Sequence, residues 1–305
     1  MKIELKVKDI RYSGCENVTI TKSVQSIAHT CAMDIYNGDA VNFDADDLVQ
    51  IIGDDKVFMT GYVDGVDFGI SDTKKPLKLT GRSKAGDLID CSIATNKQYN
   101  KQNIKQIITD LIKPFNITVS SSLKLEPLAT FTTKVGETYF NAINRLCKQT
   151  NTLPISDNYG NIIIIKNEQK ESDIIIKDGD LKELNYPKRL ASRFSKYTYK
   201  KEGIATDVTD GSESDDTVKR YRPFVEVNTE DKANGDMAKW KMNFNKVDEV
   251  SLRGKMTGWD LEINTIVKLE TSIVNNSFLI KDIVYSKGED GTISDIVLAS
   301  KDAYV

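Results

Sequence analysis

At both ends of this 305-residue chain, apolar and polar side chains alternate with a period of two. Only an extended strand puts successive residues on opposite faces, so the alternation commits both ends to half-buried β-sheet. Near the N-terminus Ile3, Leu5 and Val7 point one way while Glu4, Lys6 and Lys8 point the other. Val18 and Ile20 repeat the pattern against Thr19 and Thr21. Further strands are predicted over 48–52, 57–62 and 77–80, with turn chemistry at Gly53-Asp54-Asp55-Lys56 and a polar turn over 71–76. Alternation broken by turns at short intervals is the pattern of a small barrel or sandwich.

The middle of the chain changes period. Ile104, Ile107, Ile108, Leu111 and Ile112 fall on one face of a helix, which Asn100 can cap and Pro114 stops. A second helix is predicted over 137–150, with Phe140, Ile143, Leu146 and Cys147 inward and Gly136 at its start. A hairpin over 153–166 turns at Asp157-Asn158-Tyr159-Gly160. The last third returns to β: strands over 191–201, 250–253, 265–269, 277–285 and 292–299, with a short helix over 230–245 carrying Met237, Trp240 and Met242. Between them, 203–217 holds Asp207, Asp210, Glu213, Asp215 and Asp216 with no base and almost no hydrophobe, and is predicted to be a mobile loop. Its carboxylates do not follow the alternate-position spacing of an EF-hand calcium loop.

A chain of this length has room for two or three domains. The predicted class is α+β, mainly β: a first β-barrel over 1–92, an α/β insert over 93–185, and a second β-barrel over 186–305 with the acidic loop. The two ends also align with each other. Leu48-Val49-Gln50-Ile51 sets beside Ile266-Val267-Lys268-Leu269, and the strand at Phe58 beside the strand at Phe278. A third strand ends at Gly81-Arg82-Ser83-Lys84 in one copy and Leu298-Ala299-Ser300-Lys301 in the other, at a nearly constant offset. Two related barrels per chain would let three chains arrange six similar units in a ring.

Little in the sequence points to catalysis. There is one histidine, His29, and four scattered cysteines, Cys15, Cys31, Cys91 and Cys147, so Cys/His zinc sites are nearly excluded. His29 shares a face with Ile27, Cys31, Met33 and Ile35 and reads as a packed strand histidine. No phosphate-cradling G-x-x-x-x-G-K-[ST], dinucleotide-binding G-x-G-x-x-G or G-x-S-x-G elbow occurs. A pair of acids meeting only in space, as in glycosidases, stays open. No cofactor or metal is implied. The 42 basic residues, only eight of them Arg, stand against 45 acidic ones for a net charge of −3, so no broad nucleic-acid footprint is present. No apolar run approaches a membrane span, and the alternating N-terminus lacks the continuous apolar stretch of a signal peptide, which reads as synthesis in the cytoplasm without a membrane anchor.

The segment Leu79-Thr80-Gly81-Arg82-Ser83-Lys84-Ala85-Gly86-Asp87-Leu88-Ile89-Asp90-Cys91-Ser92 reads, by itself, as a strand exit feeding a helical turn, with Asp87 and Asp90 solvated or paired with Arg82 or Lys84. It also resembles the end of the first domain in the baseplate hub proteins of Mu-like contractile-tailed phages, where an apolar strand runs into G-R-S-K-x-x-D-L-x-D-C-S. The helix-then-hairpin stretch over 135–165 is similar to the second domain of such hubs. Trp259, Asn264-Thr265-Ile266-Val267 and the closing Asp302-Ala303-Tyr304 are similar to their final barrel.

The resemblance implies a non-enzymatic homotrimer at the centre of a tail baseplate in the virion, made in the bacterial host. Its ring of pseudo-sixfold symmetry would join the sixfold tail tube, or a tube-initiator protein, to the trimeric central spike, beside other baseplate proteins. DNA would pass the channel without tight binding. Ring subunits bury large surfaces on one another, with aromatics as anchors. The interface candidates are Tyr62, Phe68, Tyr221, Phe224, Trp240 and Trp259, with Arg82 and Lys84 of the motif, although each aromatic also suits the core of its own chain. Alternatives are the same part in a phage-derived contractile bacteriocin or injection machine, a tail-associated cell-wall hydrolase, and a carbohydrate- or receptor-binding β module.

Overall fold

A computed structural model describes residues 1–36, 43–69, 76–166, 170–187, 189–201, 211–228, 234–247, 251–301 and 303. The N-terminal third forms β1 (Ile3–Val7), β2 (Ile10–Tyr12), β3 (Cys15–Ser23), β4 (Thr30–Tyr36), β5 (Leu48–Gly53), β6 (Lys56–Phe68) and β7 (Pro76–Ser83), followed by a 3₁₀ turn at Lys84–Gly86 and α1 (Asp87–Asp90). The middle third forms β8 (Gln98–Gln102), α2 (Ile104–Ile112), β9 (Val119–Ser120), β10 (Leu128–Thr132), α3 (Tyr139–Gln149), β11 (Leu153–Ser156) and β12 (Ile162–Ile165). Then come β13 (Lys170–Lys177), β14 (Leu181–Asn185), β15 (Lys196–Lys201), β16 (Gly211–Ser214), β17 (Pro223–Asn228) and α4 (Asn234–Lys246). The chain finishes with β18 (Leu252–Thr257), β19 (Thr265–Glu270), β20 (Asn275–Gly288) and β21 (Gly291–Ser300).

The alternation at the ends becomes one sheet rather than two closed barrels. Its order is β14-β18-β21-β20-β3-β4-β7-β6-β5-β1-β2, with β19 on β20 and β13 on β19. No closed barrel forms among the described residues, which corrects the expectation. The reason is local. The outer edge of β3, which a self-closing barrel would use, is taken by β20 from the other end of the chain, with Ser23 opposite Asp282 and Val18 opposite Lys287. One apolar core accordingly draws on both ends, from Ile3, Leu5, Ile20 and Phe58 to Trp259, Phe278, Tyr285 and Leu298.

Within this sheet the same unit occurs twice. The orders β3-β4-β7-β6-β5 and β14-β18-β21-β20-β19 correspond strand for strand, and every neighbouring pair in both is antiparallel. Registers correspond too. Val63 faces Gly81 where Ile280 faces Leu298, both partners shifted by the same sequence offset. The next residue, Asp64 in one copy and Lys281 in the other, is the extra residue of a bulge. Just before β5 and β19, Asp46 and Asn264 both take positive φ, +77° and +58°, and their N–H groups donate to the carbonyls of Val63 (2.8 Å) and Ile280 (2.9 Å). Asp and Asn tolerate this left-handed conformation better than other non-glycine residues. The copies part company at the next strand, where β1 runs antiparallel to β5 but β13 runs parallel to β19.

The middle third packs its own core. Ile104, Ile107, Ile108, Leu111 and Ile112 of α2 meet Ala142, Ile143, Leu146 and Cys147 of α3 over Ile162 and Ile164. That core also takes in Ala85 and Leu88 from the segment after β7, and Ile27. The cap of α2 differs from expectation: Asn103, not Asn100, accepts from the N–H of Gln106, whose side chain accepts in return from the Asn103 N–H. Asn100 lies instead in β8, paired with Thr130 of β10.

A small third body holds β15, β16 and β17 against α4, with Tyr197, Tyr199, Met237, Ala238 and Met242 inside. Here the predicted loop over 203–217 is corrected where it is described. Gly211–Ser214 is a strand beside β15, and Asp215 is buried in an ion pair with Arg193 at 2.5 Å. The rest of that stretch, 203–210, lies outside the described residues.

Candidate functional site

The place where both β units and the insert meet is built around Lys22. Alternation along β3 puts Val18, Ile20 and Lys22 on the inward face, so a lysine is driven into the joint between the units. Its side chain is fully buried. Such a charge needs partners. The Nζ donates to Asn158 Oδ1 of the β11–β12 turn at 2.5 Å and to Glu262 Oε2 at 3.1 Å. Lys56, entering β6, reaches Glu262 Oε1 at 2.9 Å, and Asn158 Nδ2 donates to the same oxygen at 3.2 Å. Glu262 thus joins the first unit, the insert and the second unit through one carboxylate.

Aromatic rings close the site. The ammonium of Lys22 lies over Tyr285 at 5.1 Å and Phe58 at 5.6 Å from the ring centroids. Phe58, Trp259 and Tyr285 pack edge to face or tilted, with centroids 5.1–5.3 Å apart. Both polar handles are used: Trp259 Nε1 donates to the carbonyls of Ser286 and Ile293, and the Tyr285 hydroxyl to the Leu261 carbonyl. Burial holds the Lys22 ammonium below the usual lysine range, although Glu262 works against it. For Glu262, burial alone would raise the carboxyl, but Lys22 and Lys56 outweigh it and hold it below the ordinary value.

His29 lies beside this cluster, buried, as the packed histidine the alternation predicts. Burial first, then the charge of Lys22, lowers it to about 3. Among the described residues neither ring nitrogen has a hydrogen-bond partner. Burial raises the thiols of Cys31 and Cys147 to about 12 and of Cys15 to about 11, so none is a ready nucleophile. No group of three or more His, Cys, Asp or Glu side chains placed to hold a metal occurs among the described residues. The paired charges of Lys22, Lys56 and Glu262, with the amide of Asn158, tie three parts of the chain together.

The interface candidates scatter. Arg82 pairs with Asp64, the bulge residue of β6, at 2.8 Å and with Asp90 of α1 at 2.7 Å, so the motif segment is a strand exit feeding a helical turn. Lys84 Nζ donates to the Asn116 carbonyl of the insert at 3.4 Å. Tyr62 lies opposite Arg82 and Leu48. Trp259 belongs to the joint just described. Trp240 is buried, donates to the Thr152 carbonyl at 3.1 Å and stacks on Phe244. Phe224 packs in the third body. Phe68 and Tyr221 stand in the open, 68% and 90% exposed. Sequence reasoning missed Lys22, Asn158 and Glu262. The first had a signal, a lysine continuing the Val18–Ile20 face; the other two have none until the turns are folded.

Residues 85–166 match the family described as baseplate hub protein gp44-like, second domain. Over 245 residues the chain is 24% identical to baseplate hub protein gp44 of Escherichia phage Mu, covering 73% of this chain and 64% of the Mu protein, so it spans less than two thirds of that relative. The 43 kDa tail protein of prophage MuSo2 from Shewanella oneidensis superposes with a TM-score of 0.87 at 25% identity, across 100% of both chains. The chain resembles the Mu-like baseplate hub proteins in sequence and in fold. The resemblance seen in the G-R-S-K segment thus extends to sequence and fold together. A tail protein from Neisseria meningitidis MC58, 16% identical, shares the fold with a TM-score of 0.86 over 99% of this chain and 97% of that one. The motif segment of this chain runs into the matched stretch, since Ala85 and Leu88 pack into its core.

Proposed function

We propose that this chain is the central hub of a contractile-tail baseplate and works as a homotrimer. Two ring units per chain, built on β3-β4-β7-β6-β5 and on β14-β18-β21-β20-β19 with the insert between them, present six similar faces around one threefold axis. One side of that ring seats a trimeric spike and the other meets a sixfold tail tube or its initiator, within the baseplate of the virion. The hub does no covalent chemistry; it matches symmetries and holds the spike until contraction. The observation that carries this reading is the repeated unit, with bulges at Asp64 and Lys281 in matching registers. Such a repeat has a use in a ring of pseudo-sixfold symmetry that it lacks in a monomer. The same role in a bacteriocin particle or injection machine is the same reading in another carrier.

Native mass tests it. The expected value is about 103 kDa, three times the chain's 34.2 kDa, for the protein alone, or three hub chains per complex when the spike is added, with ring-shaped particles in micrographs. A monomer under both conditions ends the proposal.

A further inference from the structure

We propose that the edge of β6 at Gly65–Phe68 pairs antiparallel with the continuation of the β14 edge beyond Asn185 in a second copy of this chain, with Phe68 opposite Tyr186 and Asp67 opposite Pro187. The inference rests on the trimeric reading and gives its joint in residues. The repeat already contains one such joint. Inside the chain, β20 of the second unit takes β3 of the first, with Tyr285 opposite Ile20 and Val284 opposite Thr21. The counterpart of β20 is β6, since Ile280 and Val63 hold the same place in their units. The counterpart of β3 is β14: Cys15 faces Ile35 where Leu181 faces Met256, and a bulge follows in both. Carrying the internal register across, Tyr285 becomes Phe68, Ile20 becomes Tyr186 and Val24 becomes Leu190.

The surface of the molecule agrees with that mapping. Along Gly65–Phe68, β6 has β7 on one side and no strand on the other among the described residues, and β14 ends the sheet. Exposed edges of this kind are templates for another strand. Two residues that the mapping places at the new joint are exposed where their counterparts are covered. Phe68 is 68% exposed against 0% for Tyr285, and Leu190 43% against 0% for Val24. Proline also fits. The Val24 N–H donates to the Lys281 carbonyl at 2.9 Å, which makes every second pair hydrogen-bonded and leaves Val284–Thr21 between them. Pro187 maps to Thr21, so its missing N–H faces away from the new partner. The contact is head-to-tail, β6 of one copy to β14 of the next, and such contacts close into rings. Three copies would make three new joints alternating with the three internal ones.

Disulfide trapping tests the register. In a Cys91→Ser background, which removes the exposed native thiol, Asp67→Cys and Pro187→Cys are combined. A non-hydrogen-bonded antiparallel pair brings Cα atoms to about 4.5 Å, within disulfide reach. Oxidation is expected to give covalent species ending at three chains. Asp67→Cys with Asn185→Cys, displaced along β14 from the predicted partner, is expected to give about tenfold less. Native mass is read on the reduced samples. A trimer that does not cross-link at 67 and 187 overturns the joint and leaves the trimeric reading standing; a protein that stays a monomer and does not cross-link, both alone and with the spike added, overturns both. Phe68→Asp is the second variant: loss of the trimer with circular dichroism and melting unchanged supports the joint, and a retained trimer overturns it.

Discussion

Lys22 and Glu262, from opposite ends of the sequence, form an ion pair of 3.1 Å where both β units and the insert touch. Removing Glu262 leaves the buried Lys22 ammonium with Asn158 alone, whereas removing Lys22 leaves Glu262 with Lys56 and Asn158. Glu262→Leu and Lys22→Met are each expected to lower unfolding stability, by about 3 kcal/mol for the first and by less for the second. The double replacement Lys22→Met with Glu262→Leu is expected to cost clearly less than the two single costs together, because no orphan charge remains. Urea denaturation of the four proteins checks this; additive losses would mean the pair acts as two separate surface charges.

His29 makes stability depend on pH. Its folded value of about 3 lies below the ordinary 6.5, so between these the unfolded chain binds a proton that the folded one refuses. Stability therefore rises with pH across that window and is lost on acidification, by up to about 1.4 kcal/mol per pH unit from this residue. Glu262 titrates below its ordinary value of 4.5 and adds nothing to the loss between pH 7 and 5. Lys22, the other charge facing the ring, is not neutralised by acid. From pH 7 to 5, the wild type is expected to lose about 2 kcal/mol more than His29→Leu in denaturant titrations. Equal losses would show that the imidazole takes up a proton as readily in the folded protein as in the unfolded chain.

The 42 basic side chains are outnumbered by 45 acidic ones, so the chain carries no net positive charge with which to neutralise phosphates. Affinity for duplex DNA comes mainly from that neutralisation. Fluorescence anisotropy with a labelled duplex at physiological salt is expected to show only weak binding. A tight complex that weakens steeply with added salt would contradict a channel that lets DNA pass.

Much of the fold was legible in the sequence because alternation and helical faces are local. Ile3, Leu5 and Val7, or Ile104 through Ile112, declare their buried side within a few residues. Closure was not legible. Alternation says which face of β3 is buried but nothing about what occupies its edge, and the occupant, β20, comes from the far end of the chain. The polar run Gln98–Gln102 carries little β pattern, so its pairing with Leu128–Thr132 stayed hidden. Likewise Asp215 looked solvated because its partner Arg193 lies well upstream, beyond any periodic signal. For the candidate joint, Lys22 was readable as a lysine on an apolar face, whereas Asn158 and Glu262 came from turns that only the tertiary fold brings together.

The corrected helix cap gives a contrast between two neighbouring asparagines. Asn103 closes a reciprocal capping box with Gln106, two bonds of 3.0 Å. Losing an N-cap side chain costs about 1 kcal/mol. Asn103→Ala is expected to lower the melting temperature accordingly. Asn100→Ala loses the Thr130 hydroxyl contact at 3.1 Å on an exposed strand, and is expected to change stability by less than about 0.5 kcal/mol. A reversed order of the two would place the helix start at Asn100 after all.

Gly61 sits where β6 crosses β7 most closely. A Cβ built there would lie 1.9 Å from the Arg82 carbonyl oxygen and 2.6 Å from the Ser83 Cα, both backbone atoms that cannot swing aside. Gly61→Ala must therefore spread the two strands, and they hold the Arg82–Asp64 contact and the bulge that the second unit repeats. The expected loss is about 3 kcal/mol, at the upper end for overpacking. Gly179 is the control: nothing lies within 4 Å of its added Cβ and its φ is not left-handed. Gly179→Ala is expected to be neutral within about 0.5 kcal/mol. Thermal melts of both variants decide the matter, and a Gly61→Ala protein as stable as the wild type would mean that the two strands separate without cost at this crossing.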